Sequence, residues 1–115
     1  MLHVYGIKNC NTVKKAITWL ADNQLDYTFH DYKKEGISEA KLIEWEKEIS
    51  WEKLLNKKGT TWKKLDADEQ AAVIDAKSAN SVLAKNTSMI KRPVIEGGQQ
   101  ILVGFDEIEY ASILK

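Results

Sequence analysis

The stretch Val4–Leu20, VYGIKNCNTVKKAITWL, decides the fold because its hydrophobic period changes partway along. Leu2 to Tyr5 mix apolar and β-favouring residues and read as a strand that Gly6 breaks. Val13, Ala16, Ile17 and Leu20 then recur at helical spacing, with Asn11 or Thr12 as the N-cap. Cys10, the only cysteine, falls in the polar loop between them. Asp26 to Tyr32 follows as an alternating run, Tyr27 and Phe29 opposed to Thr28 and His30, and Lys33 to Gly36 ends it. Strand, helix and strand make a βαβ unit, whose crossover requires the two strands to be parallel.

From Ser38 to about Asn86 the period is helical. Ser38 is a cap for a segment bearing Leu42, Trp45 and Ile49, and Ser50 for a shorter one with Leu54 and Leu55 that Gly59 stops. Asp66 and Glu69 have the spacing of a capping box, ahead of a helix through Ala72, Val73 and Ala76; Ser78 to Asn86, with Val82 and Leu83, reads as one more. Beyond this, RPVIEGGQQILVGF holds two short apolar runs joined across Gly97 and Gly98, a pair that accepts positive φ and suits a tight hairpin turn. A last helix, Asp106 to Leu114, closes the chain. The expected class is α/β: a four-stranded mixed sheet, βαβ then ββα, with the first and last helices packed on it. Residues 1–115 read as a single domain, with the sheet core at about 1–36 and 88–115 and a helical insertion at about 37–87.

A chain of 115 residues, 43% hydrophobic and 30% charged, suffices for one soluble domain with a real core. Seventeen basic and 17 acidic residues give a formal charge of zero, and no Lys/Arg run marks a nucleic-acid or anionic-membrane partner. A lone cysteine makes no internal disulfide, MLHVYGIKNC lacks a charged-then-apolar leader, and no apolar run approaches the ~18 residues of a membrane span. A cytoplasmic monomer is the expectation.

A thiol needs ionisation to react, and a helix N-terminus favours the thiolate through its unpaired N–H groups and dipole. Cys10 stands at such a turn, with Lys8, Lys14 and Lys15 near it in sequence. Free cysteines are most often small buried hydrophobes. The polar neighbours Lys8, Asn9, Asn11 and Thr12 weigh against that reading here. Three residues on, where a C-x-x-C pair would have its second thiol, stands Val13, so Cys10 forms a disulfide only with another molecule. Arg92 is the only arginine among sixteen lysines, and a guanidinium offers carboxylates and oxyanions a bidentate fork that an ammonium lacks. The bond from Arg92 to Pro93, the only proline, is expected to be trans on base rates, with about 5–6% of such bonds cis. His3 and His30 lack metal-ligand spacing and read as structural, as do the four tryptophans, so no metal is expected.

YGIKNCNTVKKA, NKKGTTWKKLD and IKRPVI, in this order, resemble the arsenate-reductase-like proteins of bacteria, nearest the YffB branch and with the Spx regulators as cousins. The resemblance covers nearly the whole chain and implies a thioredoxin-like fold. It makes Cys10 the nucleophile, Thr12 part of the active-site loop, and Arg92–Pro93 the family's Arg-Pro pair with a cis proline. The activity implied is a glutathione-dependent thiol reductase working through a mixed disulfide on a small-molecule or protein disulfide. Lys8, Asn11, Thr12, Lys58, Arg92 and Pro93 would then bind glutathione, the co-substrate. True arsenate reductases carry a histidine four residues before the cysteine and further arginines, whereas this chain has Gly6 and no second arginine. The rival expectation is an Spx-like binder of RNA polymerase; arsenate reduction ranks third.

Overall fold

The computed structural model describes residues 1–114. The first strand, β1 (Leu2–Gly6), sends Leu2 and Val4 to one face of the sheet and His3 and Tyr5 to the other. Helix α1 (Asn11–Asp22) then buries Val13, Ala16 and Leu20. Strand β2 (Tyr27–Asp31) returns parallel to β1, with Leu2 opposite Tyr27 and Tyr5 opposite His30. It is one residue shorter at each end than its alternation suggests. The Asp31 carboxylate accepts the Lys33 N–H at 2.8 Å, and the chain bends into a single helical turn, α2 (Tyr32–Glu35).

The chain divides into two compact units, and the first joins Met1–Glu35 to everything from Arg92 onward. Strand β3 (Val94–Glu96) runs antiparallel to β1, placing Ile95 opposite Val4 and Glu96 opposite His3, and β4 (Leu102–Val103) is antiparallel to β3. The sheet order is therefore β2-β1-β3-β4. Leu2 and Val4, Ala16 and Leu20, Ile95 and Leu102, and Tyr110 of the last helix, α8 (Glu107–Leu114), form one buried cluster. Each leucine, valine or isoleucine side chain removed from water here contributes about 1.5–3 kcal/mol. A mixed four-stranded sheet of this order, entered by a βαβ unit and left by a ββα unit, is a thioredoxin-like fold. No helix among the described residues is long and apolar enough to cross a membrane.

The link between β3 and β4 is longer than the tight turn that Gly97 and Gly98 suggest. It runs from Gly97 to Ile101, and of the two glycines only Gly97 has a positive φ, +102°. A Cβ on Gly97 would stand 2.4 Å from the Met1 carbonyl oxygen, so a close backbone approach requires glycine there.

The second unit, Gly36–Lys91, is helical. Ser38 caps α3 (Glu39–Trp45), accepting the Lys41 N–H at 3.1 Å, but the helix stops before Ile49. Ser50 caps α4 (Trp51–Leu54), which ends because Leu55 turns extended and bridges to Ile90. Gly59 is thus not the stop of that helix but the N-cap of α5 (Thr60–Lys63). The Asp66–Glu69 capping box starts α6 (Ala67–Ala71), which ends with Ala72 at its C-cap. Ala76 instead opens α7 (Ala76–Lys85), because Asp75 and Ser78 form a second capping box. Residues 88–91 belong to this unit, since Asn56 N–H donates to Met89 O at 2.8 Å and Lys91 N–H to Leu54 O at 2.7 Å.

Gly6 has a packing reason of its own. A Cβ there would lie 2.8 Å from Cγ2 of Val13, a stiff side chain that is 1% exposed, so glycine lets the first turn of α1 close on the strand. Gly6→Ala is expected to lower unfolding stability in urea by about 1–3 kcal/mol, and adding Val13→Ala to recover part of the loss by making room. Additive losses in the double variant would show that the two residues do not share this space.

Candidate functional site

The site grows from the start of α1. Cys10 is itself the N-cap, one residue earlier than Asn11 or Thr12, with extended backbone at φ −124° and ψ 122°. Its carbonyl accepts the Lys14 N–H at 3.0 Å, the first bond of the helix. The N–H groups of the next three residues are left without helical partners, as at every helix start. A serine or aspartate at this place would satisfy two of them with a side-chain oxygen. Cys10 as a neutral thiol makes no such capping bond, and the first turn holds no acidic residue to meet the positive helix end. The opening of α1 lacks an anion.

A thiolate at Cys10 would supply one. Burial pushes the Cys10 thiol up, but the Val13 N–H, the Arg92 guanidinium and the Thr12 N–H together outweigh it and hold the thiol below its ordinary value. Thr12 and Val13 are the second and third residues of the helix, the positions whose N–H groups a capping atom takes. Cys10 is half-buried.

Arg92 is brought to the sulfur by the strand it precedes. The Arg92–Pro93 bond is cis, not the trans form that base rates suggest, in agreement with the family resemblance. Pro93 is buried, and its carbonyl accepts the Gly104 N–H at 2.9 Å, which ties the entry of β3 to the exit of β4. Burial pushes the phenol of Tyr32 strongly upward, its hydroxyl being enclosed without a hydrogen-bond partner, and Arg92 draws it partly back.

The other expected residues are placed as follows. Lys8 is exposed in the turn after β1, and Asn11 is exposed at the first helical position. Lys58 belongs to the second unit, where it is exposed and its N–H donates to Asn56 Oδ1 at 3.1 Å. His3 and His30 pair with each other: Nδ1 of His3 lies 2.9 Å from Nε2 of His30, and Nδ1 of His30 lies 3.1 Å from Glu35 Oε1. Tyr5 stacks on His30 at 4.5 Å and donates to Glu96 Oε1 at 2.9 Å. Sequence spacing hides this cluster because its members meet only across the sheet. The signal available was the period of two, which puts His3, Tyr5 and His30 on one face once the strands are in register. Among the described residues, no group of three or more His, Cys, Asp or Glu is arranged to hold a metal.

The model of the ArsC family matches residues 5–113. An uncharacterized protein of Haemophilus influenzae is 46% identical over 96% of this chain and 96% of its own. The global transcriptional regulator Spx of Streptococcus pyogenes is 26% identical over 99% of this chain and 85% of its own. Among solved structures, a YffB protein is 44% identical and superposes over 100% of both chains with a TM-score of 0.94. An arsenate reductase (ArsC) related protein of Brucella melitensis is 46% identical, covering 99% of this chain and 94% of its own, with a TM-score of 0.75. With its family model matched over nearly the full length, and with a lone cysteine opening α1 beside the arginine of an Arg-Pro pair, this chain belongs to the ArsC family.

Proposed function

We propose that this protein is a glutathione-dependent monothiol reductase acting in the cytoplasm. The observation that carries the reading is the Cys10 sulfur held toward its anionic form by two backbone N–H groups and one guanidinium. Thiolate Cys10 attacks the glutathione sulfur of a mixed disulfide, forming an S–S bond to glutathione and releasing the substrate sulfur as a thiolate that takes a proton from solvent. A second glutathione thiolate then attacks the glutathione sulfur of that intermediate. Oxidised glutathione leaves and Cys10 departs as the anion, stabilised as a leaving group by the same donors. Glutathione supplies the second thiol that Val13 denies the chain.

For binding, Arg92 and Lys8 offer cations to the two carboxylates of glutathione, Asn11 and Thr12 offer polar groups at the mouth, and the backbone beside Pro93 offers an edge for the peptide. A second reading draws on the 26% identity to Spx: a regulator that docks on RNA polymerase. Arsenate reduction has less support, since the place of the family's histidine is held by Gly6, packed too closely on Val13 for a side chain.

Turnover of a glutathione mixed disulfide separates the readings. Wild type is expected to reduce it and Cys10→Ser not; equal rates for the two, together with capture of purified RNA polymerase, would favour the regulator. Replacing Arg92 by Ala removes a charge-assisted hydrogen bond worth about 1.5–3 kcal/mol, and the rate is expected to fall by about ten- to hundredfold.

The thiol value also links to stability. Its folded value lies below the unfolded value of about 8.5, so the thiolate's stabilisation is full above that pH and is lost as pH falls through the folded value. The melting temperature of reduced wild type, measured relative to Cys10→Ser, should therefore rise with pH up to about 8.5. Iodoacetamide labelling should show a midpoint below that of free cysteine and move upward in Arg92→Ala. A flat stability difference with an ordinary labelling midpoint would leave the reaction without its nucleophile.

A further inference from the structure

The second unit holds a polar pair that thiol chemistry does not use. Glu46 is the C-cap of α3, and Asn80, 3% exposed, lies on the buried face of α7. Asn80 Nδ2 donates to Glu46 Oε1 at 2.9 Å. That bond engages one carboxylate oxygen and the amide nitrogen. The remaining two atoms, Glu46 Oε2 and Asn80 Oδ1, are both buried and both lack a hydrogen-bond partner. Each unsatisfied buried acceptor has given up its bonds to water without replacement, which is unfavourable. Turning the amide over does not help, because a carboxylate only accepts and the amide still has a single oxygen to satisfy. No donor arrives from solvent either, since both atoms are closed to water. One proton removes both deficits: on Oε2 it converts an acceptor into a donor, and the amide oxygen of the same partner is the acceptor left over.

We propose that Glu46 is held as a neutral carboxylic acid whose Oε2–H donates to Asn80 Oδ1, closing a ring of two hydrogen bonds that acts as a pH-sensitive latch between α3 and α7. Burial pushes the Glu46 carboxyl up, more than the Asn80 bond draws it down. Position adds to this, because a carboxylate at the C-terminal end of a helix meets the negative end of the dipole, and the last turn of α3 holds no basic residue. The charged groups facing the pair are Glu39 and Lys47 on the α3 side and Lys77 on α7. With the folded value above the unfolded value of about 4.3, the stabilisation is full below that pH and is lost as pH rises through the folded value.

Carbon-detected NMR of the full chain, following glutamate carboxyl signals from about pH 3 to 8, tests the latch. Glu46 is expected to titrate above about 4.3, and the Asn80 side-chain amide signals are expected to shift with the same midpoint. Glu46→Gln keeps a neutral donor and acceptor in place, so its melting temperature should fall less than that of wild type between about pH 5 and 8. A Glu46 midpoint at or below the ordinary value, Asn80 signals indifferent to it, or identical melting profiles for the two proteins would each overturn the proposal. The titration of the unmodified chain decides the matter even where the variant does not fold.

Discussion

The positive end of α1 has no acidic side chain to meet it, and the thiol chemistry proposed for this protein depends on that. Four other helices answer the requirement with side chains: Ser38 and Ser50 accept backbone N–H groups, and Asp66 and Asp75 do so within capping boxes. At α1 the capping position holds sulfur, with no carboxylate in the turn that follows. The N–H groups elsewhere spent on holding a helix end are here available to a thiolate. The arrangement costs helix stability when the thiol is neutral and returns it when the thiol ionises.

Closeness between strand and helix maintains this. Gly6 lets Val13 come within a distance that any side chain at position 6 would forbid, and Val13 supplies the N–H that does most to favour the anion. Val13 is also the residue that takes the place of a second thiol. One valine thus packs the strand, donates to the sulfur and excludes an internal disulfide. Arg92 completes the set from the other half of the sheet, positioned by buried Pro93 and by the tie from Pro93 to Gly104.

The opposite face of the sheet from the buried apolar cluster carries a second polar system, His3, His30 and Glu35 with Tyr5 and Glu96. Each imidazole has a hydrogen-bonding neighbour there: His3 meets His30, and His30 also meets Glu35 on α2. In the helical unit, Glu46 and Asn80 place two acceptors where water does not reach. Polar groups in both units therefore work as joints between elements, in addition to those that serve the thiol.

Local chemistry alone determined a good deal: strand, loop and helix in Val4–Leu20, the alternation that closes a parallel pair, the serine caps at 38 and 50, and the box at Asp66. These are short-range effects of period and capping, which a linear chain displays openly. Where helices end was less legible. Leu55 leaves its helix to bridge Ile90, and Asp75 claims Ala76 for the following one, because a distant backbone partner or a competing cap outweighs weak helical propensity. The lone cysteine and lone arginine stood out as candidates by rarity and by resemblance to a family. That Cys10 is the cap, that Arg92 reaches it, that Arg92–Pro93 is cis, and that His3 meets His30 were decided only by tertiary structure. The Cys10–Arg92 and His3–His30 contacts join groups far apart along the chain, and they exist only when the sheet has formed.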